Sequence, residues 1–437
     1  MKYFLIILGI SLCLAATQFL PEKPLFGADK PAEVRLVQNG EKFELLVNDK
    51  PFYIKGAGLE FGDIASLAKH SGNSFRTWRT DNGQQTGKQV LDKAHQHGLM
   101  VTMGIELGSE RHGFDYNDPE AVQTQFDRVK SEVMSLKDHP ALLIWGIGNE
   151  LNLSYSNPKV WDAVNDIARM IHEIDPHHLT TTTLAGISKR EVGYIKEKCP
   201  DIDILSIQMY GDLPQLPVLV RDCGWEGPYM VTEWGATGHW EVPRTEWGAP
   251  IEEHTTTKAA NYLKRYQGGI EADSLQCIGS YVFLWGNKQE RTPTWYGIFL
   301  ENGRETESVD VMHYLWNGRW PDNRSPQIRS YTLDGKTAYD HVTLSSGASY
   351  RATIAVQEPE KDPLQYTWEI LPESTDLKEG GDLEERPENT VFKYREPVEG
   401  SLEFYAPGPG QYRLFVYVDD GRGHAATANI PFKVIQP

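Results

Sequence analysis

Glu150 and Glu233 are the two residues whose type and placement could do chemistry. Glu150 closes the run Ala141-Leu-Leu-Ile-Trp-Gly-Ile-Gly-Asn-Glu150, and Glu233 stands in Tyr229-Met-Val-Thr-Glu-Trp-Gly235. Both runs are short, apolar and β-rich, the pattern of strands covered on both faces. A strand that stays apolar to its last residue and then presents a carboxylate aims that group at a site. Two carboxyl groups facing each other can break a glycosidic bond. One protonates the leaving oxygen, and the other attacks the anomeric carbon across roughly 5–5.5 Å or, across a wider gap, activates water. Sequence does not measure that gap.

The elements that must position these groups alternate regularly. Strand patterns fall at 52–57, 74–80, 100–107, 141–149, 179–184, 202–210, 229–234 and 278–285. Helical patterns such as 89–97, 120–136, 159–174, 190–198, 255–268 and 309–316 lie between or after them. Pro119 and Pro158 fall near helix starts and Gly98 follows a helix end, as capping chemistry prefers. Eight strands in roughly 250 residues predict an α/β fold, a (β/α)8 TIM barrel. A doubly wound open sheet would want a Gly-rich phosphate turn after its first strand, and Gly56-Ala57-Gly58 is only a fragment of one. In a closed parallel barrel, catalytic groups gather at the C-terminal strand ends. Glu150 then ends strand four and Glu233 strand seven.

Other strand ends supply candidates. Arg76 alternates inward on strand two, with Arg79 as its rival. Asn149 precedes Glu150, Tyr210 ends strand six, Trp285 ends strand eight, and Glu106 ends strand three as the main rival carboxylate. The long loop after strand seven carries His239, Trp240 and Trp247, of which at least one Trp is expected to face the cleft. The loop after strand three carries His112, Phe114 and Tyr116, and Tyr155 follows Glu150. Aromatic rings at a barrel mouth either stack on sugar faces or pack the loops together. No histidine pairing marks a metal site, and no metal or other cofactor is expected.

From about residue 325 the character changes to alternating strands at 350–356, 366–370, 410–418 and 427–434, with turns rich in Gly, Pro and Asp. This predicts an all-β, Ig-like sandwich. The acidic segment 372–389 reads as a solvated loop without chemistry. A hairpin turning at Asn39-Gly40 precedes the barrel. The expected division is a signal peptide at 1–18, a barrel with its hairpin at 19–324, and a sandwich at 325–437.

The formal net charge of -18 argues against nucleic acid and anionic membrane surfaces as partners and suits a neutral or cationic ligand. One Lys, a short apolar run and small residues at its end, Ala15 and Ala16, describe an export signal rather than a membrane span. Simple cleavage is preferred over lipid attachment at Cys13, which Leu12 disfavours. Cys199, Cys223 and Cys277 remain, either with a Cys199–Cys223 bridge or as buried thiols. The sequence leaves the oligomeric state open.

His139-Pro140 followed by Trp145-Gly-Ile-Gly-Asn149-Glu150, with Thr232-Glu233-Trp234-Gly235 later, resembles glycoside hydrolase clan A, including families 2 and 5. The resemblance covers about residues 40–320. It implies a retaining barrel in which Glu150 is the general acid/base and Glu233 the nucleophile. It further implies that Arg76 lies beside the nucleophile, that Tyr210 donates to it, and that Asn149 binds the sugar 2-hydroxyl. Trp285 would form the floor of the central subsite. One barrel plus one Ig-like domain also resembles the bacterial endo-β-1,3-glucanases of family 158, making β-glucan the first substrate expected. Exo-acting β-galactosidase, β-mannosidase or β-glucosidase activity is the alternative, and a non-catalytic carbohydrate-binding protein a third.

Overall fold

The computed structural model describes residues 30–388 and 400–437, with the backbone of 392–396. The expected signal peptide and Cys13 lie outside the described residues. A small antiparallel sheet comes first: β1 (Val34–Asn39), β2 (Lys42–Val47) and β3 (Lys50–Pro51). Eight strands then form a closed barrel: β4 (Ile54–Gly58), β5 (Ser74–Arg76), β6 (Met100–Ile105), β7 (Leu142–Asn149), β8 (Leu179–Ala185), β9 (Ile204–Gln208), β10 (Tyr229–Glu233) and β11 (Cys277–Val282). Each pairs in parallel with its sequence neighbours, and β11 closes on β4.

The helices are α1 (Ile64–Lys69), α2 (Gly87–Gln96), α3 (Pro119–Leu136), α4 (Lys159–Ile174), α5 (Lys189–Lys198), α6 (Leu216–Asp222), α7 (Thr255–Arg265) and α8 (Glu307–Asn317). Helix α4 shows why they form. It buries Val160, Val164, Ile167 and Ile171, spaced three and four apart, as one stripe against the barrel. Asp118 caps α3 by accepting from the Glu120 and Ala121 amides, with Pro119 in the first turn. Thr86 and Gln89 close a reciprocal capping box on α2.

The hairpin is part of the barrel. Val34, Leu45, Val47 and Phe52 pack against Met100, Leu143, Ile204, Met230 and Ile278 at the N-terminal ends of the strands. Each such side chain contributes about 1.5–3 kcal/mol on burial. Without β1–β3 this floor would face water.

Beyond α8 come β12 (Gln327–Leu333), β13 (Thr343–Ser345), β14 (Ser349–Gln357), β15 (Gln365–Pro372), β16 (Phe392–Glu396), β17 (Ser401–Tyr405), β18 (Gly410–Asp419) and β19 (Ala425–Ile435). They form a three-stranded sheet, β12-β14-β17, and a five-stranded sheet, β13-β19-β18-β15-β16. Trp368, Leu414 and Phe432 from one sheet meet Leu333, Ala352 and Leu402 from the other in a common core.

Barrel and sandwich interlock through buried polar groups. The Arg413 guanidinium is buried, donates to both Glu373 carboxylate oxygens and to Asn429 Oδ1, and reaches the barrel at the Pro250 carbonyl, 2.6 Å away. Asn429 donates to Glu252, which also pairs with Lys258 of α7. Arg413→Ala strands the Glu373 carboxylate and the Pro250 carbonyl. It is expected to cost about 3–5 kcal/mol in urea unfolding, the range for losing one partner of a buried ion pair. A loss below about 1 kcal/mol would show that water replaces the guanidinium.

Cys199, Cys223 and Cys277 are all free, so of the two alternatives the thiols hold and no Cys199–Cys223 bridge forms. One expectation is corrected here. The second strand ends at Arg76 rather than at residue 80. The Thr77–Trp78 backbone instead crosses over Gly104, where a Cβ would stand 2.4 Å from the Thr77 carbonyl oxygen. No described helix is long and apolar enough to cross a membrane.

Candidate active site

The C-terminal ends of the barrel strands open into one cleft of about 1400 Å³, to which both glutamates contribute. That exceeds the roughly 300–1,000 Å³ of a typical small-ligand pocket, so one sugar would not fill it.

Glu233 ends β10 and is held on every side. Its Oε1 accepts from Trp78 Nε1 at 2.8 Å and from Arg76 Nη1 at 3.3 Å, and its Oε2 accepts from the Tyr210 hydroxyl at 3.0 Å. Burial first, and then the Glu233 charge, push the Tyr210 hydroxyl well above its ordinary pKa, so it stays a donor. The Arg76 guanidinium is itself buried and lies 4.8 Å over the Trp78 ring.

The same guanidinium ties β10 to β7. Arg76 Nη2 donates to Asn149 Oδ1 at 2.8 Å, and Gln208 Nε2 donates to the same oxygen at 2.8 Å. With its oxygen occupied twice, Asn149 keeps its amide NH2 to donate into the cleft.

Glu150 has the opposite surroundings. The chain enters it at φ 50°, a left-handed conformation costing a non-glycine residue about 1–2 kcal/mol, and this turn carries the side chain off the end of β7. Among the described residues no donor bonds its carboxyl. Burial, and next the Glu233 charge, push that carboxyl up to about 8. One carboxyl is therefore bare and proton-holding, while the other is bridged by three donors. Unlike environments of this kind divide acid and nucleophile roles between paired carboxyls.

The remaining candidates separate clearly. Trp240 lines the cleft at 56% exposure, its ring edge-on to Tyr210 at 5.6 Å. Glu106 stands exposed on the cleft rim, and Arg79 pairs with Glu60 at 2.8 Å. Two assignments are corrected. Trp247 does not line the cleft. Trp285 borders the cleft, but its side chain is fully buried and stacked on Trp316 of α8 at 5.6 Å, so its ring presents no open face to a sugar. Strand β11 ends at Val282, and the ring that meets Tyr210, Trp78 and Tyr296 beside Glu233 is Phe283. Phe114, Tyr116 and Tyr155 pack the loops: Phe114 lies 4.7 Å from Tyr116, and Tyr155 lies edge-on to Trp161.

Several site residues are not among those the sequence singles out. Trp78 and Gln208 stand two residues from Arg76 and Tyr210, and period-two alternation from those positions points to both. Phe61 lines the cleft at 61% exposure. Glu290 is a further carboxyl in the cleft, raised by burial against the pull of Lys288 at 2.8 Å. The acidic segment after β15 is no free solvated loop: residues 380–383 line the cleft, and Glu384 is buried.

A closed parallel barrel with carboxyls at the fourth and seventh strand ends is the arrangement of glycoside hydrolase clan A, and the chain resembles that clan in fold and motif. The family model described as "Glycosyl hydrolases family 2, TIM barrel domain" matches residues 61–238. Over 135 residues the chain is 29% identical to the probable mannan endo-1,4-beta-mannosidase C of Aspergillus terreus (strain NIH 2624 / FGSC A1156), spanning 28% of this chain and 30% of that protein. Over 154 residues it is 25% identical to a beta-galactosidase of Lactococcus lactis subsp. lactis (strain IL1403), spanning 30% of this chain and 15% of that one. The matches thus span under a third of either curated relative. Among solved structures, the FMN-binding beta-glucuronidase from Facaelibacterium prausnitzii L2-6 shares the fold at a TM-score of 0.50 and 14% identity, covering 92% of this chain and 59% of that chain.

Proposed function

We propose that this chain hydrolyses β-linked glycans with retention of configuration. The observation that carries hydrolysis is the contrast between a bare, proton-holding Glu150 and a triply bridged Glu233 in one cleft, and the clan-like placement of the two at the fourth and seventh strand ends supports retention. Glu233 attacks the anomeric carbon while Glu150 gives its proton to the glycosidic oxygen, and the leaving sugar departs. A glycosyl ester on Glu233 remains. Glu150, now ionised, takes a proton from water, whose oxygen attacks the same carbon and frees Glu233. The Asn149 amide is placed to donate to a sugar hydroxyl, and such bonds strengthen as the oxocarbenium-like transition state forms.

The cleft favours neutral sugars. Glu60, Asp63, Glu106, Glu290, Glu301, Glu305 and Asp382 line it besides the two acids, and they outnumber its cations Lys69, Arg79, Arg111 and Lys288. An anionic uronide would meet that field unfavourably. The narrower expectation of endo-β-1,3-glucan cleavage rests on architecture alone. The relatives' names include mannan and β-galactoside hydrolases, and exo action on a β-galactoside, β-mannoside or β-glucoside suits the same site equally.

The experiment offers laminarin, mixed-linkage glucan, mannan and nitrophenyl β-galactoside, β-mannoside, β-glucoside and β-glucuronide, and follows the first-formed anomer by NMR. Cleavage of at least one neutral substrate with a β first product is expected. An α first product would overturn retention. Glycan binding without cleavage of any substrate would give the place to the non-catalytic alternative.

A further inference from the structure

The segment after β15 belongs to the sandwich in sequence and to the cleft in space. Its inner end is locked to barrel loops on opposite sides of the mouth. On one side, Asp382 accepts from Arg111 Nη1 at 2.9 Å and Nη2 at 3.0 Å and lies 3.0 Å from His112 Nε2, both in the loop after β6. Gly380 sits so close to Leu153, after β7, that a Cβ would stand 2.7 Å from its Cδ2. On the other side, in the loop after β11, Arg291 Nη1 donates to the buried Glu384 at 2.9 Å and Arg291 Nη2 to the Lys378 carbonyl at 2.9 Å. Lys288 Nζ donates to the Gly381 carbonyl at 2.6 Å. In the ring of eight, β6 and β7 lie three and four places from β11, so the anchors after β6 and β7 stand across the barrel mouth from those after β11.

At the anchors Gly380 and Gly381 take φ of 61° and 73°, and between the Asp382 and Glu384 anchors Leu383 lines the cleft at 77% exposure. An isobutyl group left this open on a doubly anchored backbone has no packing role. It does have a ring-sized apolar face beside a cleft too large for one sugar. Lys288 links this strap to the chemistry: the Nζ that holds Gly381 also pairs with Glu290 and lies 5.6 Å over the Phe283 ring.

We propose that strap residues 380–383 are a substrate-binding wall supplied by the sandwich, with Leu383 as the apolar face for a sugar unit beyond the one held at Glu150 and Glu233. The substrate is then an oligomeric or polymeric β-glycan rather than a single glycoside. This rests on the glycosidase reading, and binding is measured apart from turnover so that the two can fail separately.

Laminarihexaose, mannohexaose and cellohexaose are titrated by calorimetry into the full-length Glu233→Gln chain, with and without Leu383→Ala. With turnover intact, kcat and KM are measured on the accepted hexaose and on the nitrophenyl glycoside of the same sugar. Leu383→Ala is expected to weaken hexaose binding roughly tenfold and to lower the ratio of kcat/KM, hexaose over nitrophenyl glycoside, by a similar factor, chiefly through KM. Leu377→Ala, on the same segment but outside the cleft, should alter neither. Hexaose affinity unchanged by Leu383→Ala, or no binding of any hexaose, would overturn the wall. A hexaose that binds in the expected way but is never cleaved would overturn the glycosidase reading and leave the wall standing.

Discussion

Glu233→Ala is expected to abolish turnover, with kcat/KM down roughly 10⁴-fold or more on any accepted substrate, as for loss of a covalent nucleophile elsewhere. The alanine removes the only atoms that can form the glycosyl ester while leaving Glu150 and its proton in place. It also leaves the buried Arg76 cation with Thr232 O, 3.2 Å away, and Asn149 Oδ1 as partners. A shifted guanidinium would therefore add to the loss. Glu233→Gln separates these effects, because its amide oxygen can still accept from Trp78 and Arg76. Both variants should melt as one cooperative unit with Glu233→Gln the more stable, and both should be inactive. Added azide or formate should restore cleavage of a nitrophenyl glycoside by the alanine variant and give a product of inverted configuration. Activity within tenfold of wild type in either variant would remove Glu233 from the mechanism.

Glu150→Gln should lower kcat on an unactivated glycan roughly 10²–10⁴-fold, the usual contribution of general acid catalysis. The loss on a nitrophenyl glycoside should be smaller, since that leaving group needs no proton. The pH dependence carries the sharper test. With the Glu150 carboxyl up to about 8, wild-type kcat/KM should fall on the alkaline side near that value, and the glutamine variant should lose this limb. Stability follows the same group. The folded carboxyl keeps a proton that an unfolded glutamate releases near 4.5. Its contribution is thus fully present below about 4.5 and is lost as pH rises through about 8. At pH 9, Glu150→Gln should therefore be at least as stable as wild type. An alkaline limb unchanged in the variant would assign it to another group, with Glu290 the next to test.

The barrel was legible because its signal is local and repeated: apolar runs of strand length alternating with three-four helical stripes. Helices α1 and α6, of 6 and 7 residues, are too short to build such a stripe. The two glutamates were legible because a carboxylate at the end of a buried strand costs free energy that only a site or a partner offsets. Trp285 misled for a physical reason. The chain leaves the ladder at Val282, so Phe283 takes the cleft position and Trp285 turns under it onto Trp316. The strap was illegible for a different one. An acidic stretch reads as solvated, and nothing local shows that Asp382 and Glu384 find their counter-charges in Arg111 and Arg291, 271 and 93 positions away. Composition reports a charge and never its partner.

The interlock at Arg413, Glu252 and Asn429 bears on modularity. A cut after α8 would look like a clean domain boundary by chain order, yet it would leave the Pro250 carbonyl without the Arg413 guanidinium and Glu252 without the Asn429 amide. Thr255, the first residue of α7, would also lose Thr427, whose amide it accepts from at 3.1 Å. The sandwich is therefore not cargo to be swapped among barrels. A sandwich grafted from another barrel would have to bring matching buried polar partners to both sides at once.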